Sequence, residues 1–258
     1  MAKKFYVVWQ GRETGIFTDW ASCKQQIDQF SGAKYKSFPT QAEAKAAFAG
    51  NHSPSSAKKS TQTSISKNKS SSNSVKTYTA TEISAMPLET KIFTDGACVP
   101  NPGEAGTGVA IYRNNVVDEL WYGLYNSHGT NNTAELNGLN QALRIAKDEI
   151  KEGKSVAIFC DSKYSIQCIT QWAAGWQKKG WIKNGGEIKN LELIKETFKC
   201  YQLVKDAVQV LHVNGHVGVE GNELADRMSM VAIEAQEFGF ALYRGGLDIP
   251  ALLALRAG

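Results

Sequence analysis

Lys91-Ile92-Phe93-Thr94-Asp95-Gly96-Ala97-Cys98 sets a carboxylate at the end of an apolar run, immediately before a glycine. Three other segments also put an acid beside apolar residues: Glu135 in Thr133-Ala134-Glu135-Leu136, Asp161 in Ile158-Phe159-Cys160-Asp161-Ser162, and Asp226 in Asn222-Glu223-Leu224-Ala225-Asp226-Arg227. A carboxylate next to a hydrophobic core is costly unless something pairs with it. Mg²⁺ takes oxygen ligands, keeps several waters and reaches substrate phosphates. Four converging acids therefore point to divalent metal and phosphodiester chemistry.

Strand side chains alternate between faces, so Phe93 and Asp95 share one face, and Ala157, Phe159 and Asp161 share one face of a later strand. Each acid reads as the last residue of its strand before a loop opens at Gly96 or Ser162. That is the carboxyl edge, where open α/β sheets place ligands. Glu135 reads as opening a helix whose apolar positions Leu136, Leu139, Leu143, Ala146 and Ile150 step by three and four. Asp226 falls in the first turns of another helix, with Leu224, Met228, Val231 and Ala232 as its buried stripe. Both helical acids are expected to lie off those stripes. Any one of the four is equally consistent with a solvated residue or a helix N-terminal charge. The weight lies in the set.

Working outward, residues 89–237 read as strand, strand, strand, helix, strand, helices, strand, helix, with strands near 91–95, 108–112, 116–122, 155–160 and 208–213. This predicts an α/β domain, a mixed five-stranded sheet flanked by helices. Residues 1–50 read as a small α+β module. It has strands at 5–9 and 16–17 across a turn, a helix over 19–30, a strand at 35–38 and a capping-box start in Thr40-Gln41-Ala42-Glu43. The expected division is 1–50, a flexible Ser/Lys-rich linker over 51–88, a domain over 89–238, and a tail over 239–258 without assigned role.

Charge is uneven. Residues 1–50 carry seven Lys/Arg against four acids, net +3; residues 51–80 carry five Lys and no acid, net +5; the remainder carries 17 against 21, net −4. A basic front joined to an acid-bearing rear suits a polyanion held by one part and cut by the other. Five cysteines, an odd number without a Cys-x-x-Cys pair, argue against a disulfide scaffold or zinc site, and Cys160 and Cys168 read as small buried hydrophobes. Gly103, Gly106 and Gly108 lack the Gly-Lys-Ser/Thr that a phosphate loop needs. The start Met-Ala-Lys-Lys-Phe lacks an apolar signal core, and no stretch approaches the roughly 18 apolar residues of a membrane span. The expected setting is a soluble, reducing compartment, the cytoplasm, or the nucleus or an organelle if the source is eukaryotic, with no membrane partner.

The strings Thr94-Asp95-Gly96-Ala97-Cys98, Asn101-Pro102-Gly103, Thr130-Asn131-Asn132-Thr133-Ala134-Glu135, Asp161-Ser162-Lys163-Tyr164, Gly215-His216-Val217-Gly218 and Gly221-Asn222-Glu223-Leu224-Ala225-Asp226 together resemble type 1 ribonuclease H, in the correct order. The resemblance implies an endoribonuclease that cuts the RNA strand of RNA/DNA hybrids with two Mg²⁺ ions, Mn²⁺ substituting, and leaves 5′-phosphate and 3′-hydroxyl ends. It implies Asp95, Glu135, Asp161 and Asp226 as metal ligands and His216 as the histidine that assists proton transfer or product release. Asn101, Asn131 and Asn132 match amides that touch the minor groove. Thr130 and Asn190 match a pocket for a DNA-strand phosphate, where His128 stands in place of an arginine that some relatives carry. Gln171-Trp172 through Trp181-Ile182-Lys183 resembles the basic protrusion of the cellular enzymes, so that Trp176, Lys178, Lys179 and Trp181 are expected on a duplex backbone.

In the front module, Phe5-Tyr6-Val7-Val8, Gly11-Arg12-Glu13-Thr14-Gly15-Ile16-Phe17, Trp20 and Tyr35-Lys36-Ser37-Phe38 resemble the hybrid-binding, viroplasmin-like domain of many such enzymes. The resemblance implies Tyr6, Trp20 and Lys36 as duplex contacts, with Ser37 standing where the family has a second lysine. The expected partner is an RNA/DNA hybrid, bound by a monomer. An integrase or resolvase of the same superfold, and a non-catalytic hybrid-binding protein, are the competing readings. The front module speaks against the first, and the four acids with His216 against the second.

Overall fold

The computed structural model describes residues 4–28, 30, 33–50, 75–183 and 185–258. The chain divides into two compact units, Met1–Ser70 and Ser71–Gly258. Most of the expected linker, residues 51–74, lies outside the described residues.

In the first unit, β1 (Phe5–Gln10), β2 (Gly15–Phe17), α1 (Trp20–Ile27), β3 (Lys34–Phe38) and α2 (Gln41–Gly50) form an antiparallel sheet in the order β2-β1-β3 with two helices. Asp19 caps α1 by accepting from the Ser22 N–H at 2.8 Å, and Thr40 Oγ1 accepts from the Glu43 N–H at 3.3 Å. Successive strand residues point to opposite faces, so burial of both Val7 and Val8 means that both faces of the central strand are covered.

The second unit runs β4 (Thr77–Tyr78), α3 (Ala80–Ser84), β5 (Thr90–Val99), β6 (Gly103–Arg113), β7 (Val116–Gly129), α4 (Asn131–Lys151), β8 (Val156–Cys160), α5 (Lys163–Gln167), a π-helical turn (Cys168–Trp172), α6 (Ala173–Lys178), α7 (Leu191–Val204), β9 (Val208–Val213), α8 (Glu220–Ala235), β10 (Phe240–Leu242) and α9 (Ile249–Leu253). Its sheet has the order β10-β7-β6-β5-β8-β9-β4, with β5 antiparallel to β6 and parallel to β8, and β8 parallel to β9. Alternation splits β5 between two cores. Ile92 packs with Ile158, Leu136, Leu139 and Leu143 of α4 and with Ile194 and Phe198 of α7, while Phe93 packs with Phe159, Tyr112 and the α8 residues Leu224, Ala225 and Met228. Buried side chains of this size each contribute about 1.5–3 kcal/mol. The buried Cys160 and Cys168 belong to this interior.

The five expected strands form the centre of the sheet, and two short strands extend its edges to seven. Neither β4, two residues long, nor β10, three long, carries enough alternation to be read from sequence; each exists because a longer neighbour supplies its partners. Thr77–Tyr78 and Ala80–Ser84, within the segment expected to be linker, are therefore built structure of the second unit, and Ile83 is buried in its core. Tail residues take part as well: Phe240 stacks on Trp121, with ring centroids 5.4 Å apart, and Leu252 is buried. Among the described residues, no helix is long and apolar enough to cross a membrane.

A buried charge cluster ties the far end of α4 to the sheet. Glu149 accepts from Thr90 Oγ1 at 2.8 Å and from the Arg113 guanidinium at 2.6 Å, and pairs with Lys154 at 2.9 Å. Burial pushes the Glu149 carboxyl up, but these hydrogen bonds, led by Arg113, outweigh it and hold the group down at about 2. A depressed carboxylate adds stability above its ordinary value and loses it as pH falls toward the folded value. Glu149→Gln is expected to cost about 2–3 kcal/mol at pH 7. Urea unfolding at pH 7, 4.5 and 3 checks this, since the gap from wild type should narrow only below about pH 4.5.

Candidate metal centre

Strand β5 does not stop at Asp95, as expected from the sequence, but continues to Val99. Gly96 to Val99 still pair with β6, from Gly96↔Thr107 to Val99↔Glu104, whereas pairing with β8 ends at Thr94↔Cys160. Asp95 thus stands where one of its two neighbouring strands gives out. Asp161 follows the last residue of β8 at the same level. Gly96 lets α4 approach this gap, because a Cβ there would meet the Glu135 backbone nitrogen at 2.4 Å.

Ligand oxygens of Asp95, Glu135 and Asp161 all lie within 4.8 Å of one another. Asp226 joins them along a cavity of about 210 Å³, lined also by Asn131 and His216. Asp95 and Asp226 are buried, 6% and 4% exposed. Asp226 lies on the cavity, apart from the apolar cluster that takes in Leu224 and Met228, and is enclosed there all the same. Its Oδ1 accepts from the Gly258 N–H at 3.0 Å, and its Oδ2 is paired with the Arg227 guanidinium.

Among the other three, Asp95, Glu135 and Asp161, the electrostatics are those of acids crowded together without a neutralising cation. Burial first, and then the charges of Asp161 and Asp226, push the Asp95 carboxyl well above its ordinary range, against a hydrogen bond from the Gly96 N–H at 2.7 Å. Burial, followed by Asp95 and Asp161, does the same to Glu135. Asp161 is raised by burial, opposed by Asn222. Glu135 Oε2 and Asp161 Oδ1 are buried without a hydrogen-bond partner. Orphaned carboxylate oxygens within reach of one another suit a hard divalent cation, which supplies the missing charge and the missing partner.

His216 sits at the rim, exposed, with φ of 53°. At Gly215 before it, a Cβ would lie 2.4 Å from Asp161 Oδ2, so any larger residue would displace that carboxylate. Asn222, which enters the sequence reading only as part of a string, is 1% exposed, and its Nδ2 is 3.5 Å from Asp161 Oδ2. The signal for it in the sequence is an asparagine on the apolar side of a helix.

The remaining predicted residues fall in groups. Asn101 and Asn131 meet, with Asn101 Oδ1 accepting the Asn131 N–H at 3.3 Å, and Asn132 is exposed beside them. Thr130 caps α4 and is linked to Asn190 through Thr133, whose hydroxyl lies 2.8 Å from Thr130 Oγ1 and donates to Asn190 Oδ1 at 3.1 Å. Thr133 carries no signal of this in the sequence, where its string reads as plain helix start. Lys178 and Lys179 are exposed, whereas Trp176 and Trp181 are half-buried and lean on the core. Trp181 meets Phe198 edge-on with Lys195 over its ring at 5.9 Å.

In the first unit Trp20 is 45% exposed, and its ring lies 5.4 Å from that of Tyr6 and 5.9 Å from that of Tyr35. Lys36 follows Tyr35 along β3 and so points to the opposite face of the sheet from this aromatic cluster. The structure brings Tyr6 and Trp20 together and leaves Lys36 apart from them.

A family model described as RNase H matches residues 87–234, and one described as Ribonuclease H1 N-terminal domain matches residues 4–48. Ribonuclease H1 of Mus musculus is 30% identical over 268 residues, spanning 90% of this chain and 90% of its own length. Ribonuclease H of Acidovorax sp. strain JS42 is 37% identical over 144 residues, 55% of this chain and 93% of its own. Among solved structures, the foamy viral protease-reverse transcriptase in complex with RNA/DNA hybrid matches with a TM-score of 0.51 at 17% identity, over 69% of this chain and 23% of that one. At that identity the likeness concerns the fold.

Raised acids are neutral at low pH and lose folded-state stability as pH rises through their elevated values. In metal-free protein, Asp95→Asn should therefore stabilise at pH 8 by about 1 kcal/mol or more and much less at pH 5. Thermal melts at the two pH values, with and without Mg²⁺, check this. Added Mg²⁺ should raise the wild-type midpoint more than the variant's.

Proposed function

This chain belongs to the ribonuclease H family, and on that premise we propose that it hydrolyses the RNA strand of RNA/DNA hybrids at the cluster of Asp95, Glu135, Asp161 and Asp226. Enzymes of this family are metal-dependent, and the four acids are the residues to hold two Mg²⁺ ions, with Mn²⁺ able to replace them. The observation that carries the reading is the convergence of four carboxylates on a cavity that also takes in His216: Asp95 and Asp226 are buried, and Glu135 and Asp161 each hold a buried oxygen without a partner. Bound there, the ions supply Lewis-acid charge to the scissile phosphate and to the oxygen that leaves it.

The chain's own groups do the rest. Asp95, the most enclosed acid of the mutually close three, anchors the centre. Water bonds to the scissile phosphorus as the P–O3′ bond breaks, and His216, on its exposed loop, passes a proton to the departing 3′ oxygen, so that the products are a 5′-phosphate and a 3′-hydroxyl. Asn101, Asn131 and Asn132 read the minor groove, where 2′-hydroxyls distinguish RNA from DNA. Thr130 and Asn190, tied through Thr133, receive a phosphate of the DNA strand. Lys178 and Lys179 meet the duplex backbone, with Trp176 and Trp181 shaping that surface as much as touching the duplex.

The first unit serves as a second grip on the same hybrid, its Trp20 ring, 45% exposed between the tilted rings of Tyr6 and Tyr35, offering an apolar surface to sugars. Lys36 contributes charge from the other side of the sheet. Residues 51–88 are assigned as the connection, although their last part is structured, and residues 89–238 as the catalytic domain.

Asp161→Asn should lower hybrid cleavage in Mg²⁺ by at least about a thousandfold while changing hybrid affinity only a few-fold. Cleavage of an end-labelled hybrid, against the same RNA alone and the same sequence as DNA, tests both substrate and site; near wild-type turnover of the variant would remove the assignment. Deleting residues 1–70 should leave cleavage intact but weaken binding, with the log–log salt slope falling by roughly 0.9 for each phosphate no longer neutralised, on the B-DNA value. Trp20→Ala should reproduce part of the affinity decrease in filter binding at several salt concentrations. Equal affinity in all three folded proteins would exclude the first unit as a hybrid grip.

A further inference from the structure

Strand β4 adds only two residues to the sheet, yet one of them reaches toward the metal centre. Thr77 pairs with His212 in the parallel ladder between β4 and β9. Thr77 Oγ1 lies 2.8 Å from His212 Nδ1, and His212 Nε2 lies 3.1 Å from the main-chain oxygen of Asp161. The imidazole is 3% exposed. A carbonyl oxygen can only accept, so Nε2 carries the proton and donates to it, which leaves Nδ1 of the neutral ring as acceptor and makes the Thr77 hydroxyl the donor. The three groups form one directed chain, Thr77 to His212 to Asp161.

Asp161, at the end of that chain, is otherwise loosely held. The β8 ladder ends at Cys160↔His212, so the Asp161 carbonyl has left the sheet's own hydrogen bonding. Its side chain has little firm support from other side chains: Oδ1 is buried without a partner, and Oδ2 has Asn222 Nδ2 at a long 3.5 Å. Meanwhile Asp161 sits among acids that repel it, with ligand oxygens of Asp95 and Glu135 within 4.8 Å. Under that repulsion the place of the carboxylate depends on its main chain.

We propose that Thr77 and His212 are positioning residues, which clamp the Asp161 main chain through the fixed imidazole tautomer and thereby set the affinity of the acid cluster for divalent metal. The proposal rests on the reading of Asp161 as a metal ligand. It gives β4 a task that its size does not suggest: the segment that enters the second unit closes the hydrogen-bond chain behind the metal centre. Conserving the hydroxyl or the donor should conserve the function. Thr77→Ser keeps the donor to Nδ1, Thr77→Val keeps the shape without it, and His212→Gln keeps an N–H near the position of Nε2.

The experiment is calorimetric titration of Mn²⁺ into the full chain without hybrid, for wild type, Thr77→Val, Thr77→Ser, His212→Ala, His212→Gln, the Thr77→Val/His212→Ala double variant and Asp161→Asn, with circular dichroism for folding. His212→Ala should weaken Mn²⁺ binding by about 10-fold or more, and Thr77→Val by a smaller factor. Thr77→Ser should stay within about twofold of wild type, His212→Gln should recover part of the affinity, and the double variant should bind no more weakly than His212→Ala alone. In steady-state cleavage the same variants should shift kcat and the Mg²⁺ requirement with KM for hybrid unchanged. If His212→Ala fails to fold, the Thr77→Val and Thr77→Ser pair decides. Wild-type Mn²⁺ affinity in folded Thr77→Val and His212→Ala, with binding abolished in Asp161→Asn, would overturn this proposal alone. Equal weakening by Thr77→Val and Thr77→Ser would also overturn it, by tracing the effect to packing. Wild-type affinity in Asp161→Asn would overturn the metal assignment itself, and this proposal with it.

Discussion

Three carboxylates with oxygens within 4.8 Å of one another, enclosed at the junction of a sheet and its helices, repel each other and lose hydration together. Nothing in their own chemistry keeps them there without a cation. They stay because each is fixed by main chain that has other reasons to be where it is. Asp95 lies within a strand paired on one side over its whole length, Glu135 on the first turns of a helix packed by Leu136, Leu139 and Leu143, and Asp161 one residue past a fully buried strand. The frame is local and rigid, and the repulsion is the stored consequence.

The two cores on either face of the sheet make this tolerable. Side chains such as Ile92, Ile158 and Phe159 are fully buried, each contributing about 1.5–3 kcal/mol, so a few kcal/mol of electrostatic cost at one edge does not decide folding. Glu149 meets the opposite fate. That carboxylate is as buried as Asp95, but Arg113, Lys154 and Thr90 satisfy it, and its pKa moves in the opposite direction. Glu149 is satisfied by the protein, whereas Glu135 and Asp161 each keep a buried oxygen without a partner.

Recognition and chemistry draw on different kinds of surface. The acids of the centre are enclosed, and Gly215, having no side chain, leaves room beside Asp161. The groups proposed to meet nucleic acid are mostly exposed amides and lysines, together with rings that are half-buried, as at Trp176 and Trp181, or half-exposed, as at Trp20 between Tyr6 and Tyr35. Such contacts are individually weak and add through charge and number, which suits a long, regular polyanion. The tail also reaches the centre, with the Gly258 N–H donating to Asp226 Oδ1.

Much of this is legible in the amino-acid order. Period-two and period-three-to-four apolar spacing locates the central strands and long helices, and the strand over 208–213 needs no correction. The four acids and His216 stand out from their local strings, and the structure places all five on one cavity. The sequence does not say that Asp95 lies mid-strand, that Asp226 is enclosed, or that Lys36 and Trp20 face apart, because each depends on which neighbour ends, covers or twists away. Nor does it reveal β4, whose two residues have no periodicity of their own. Thr77 and His212 are separated by 135 positions, and only the parallel ladder brings them to 2.8 Å. Local composition determined which segments fold and which residues carry charge; the pairing of distant segments alone decided where those charges meet and what holds them.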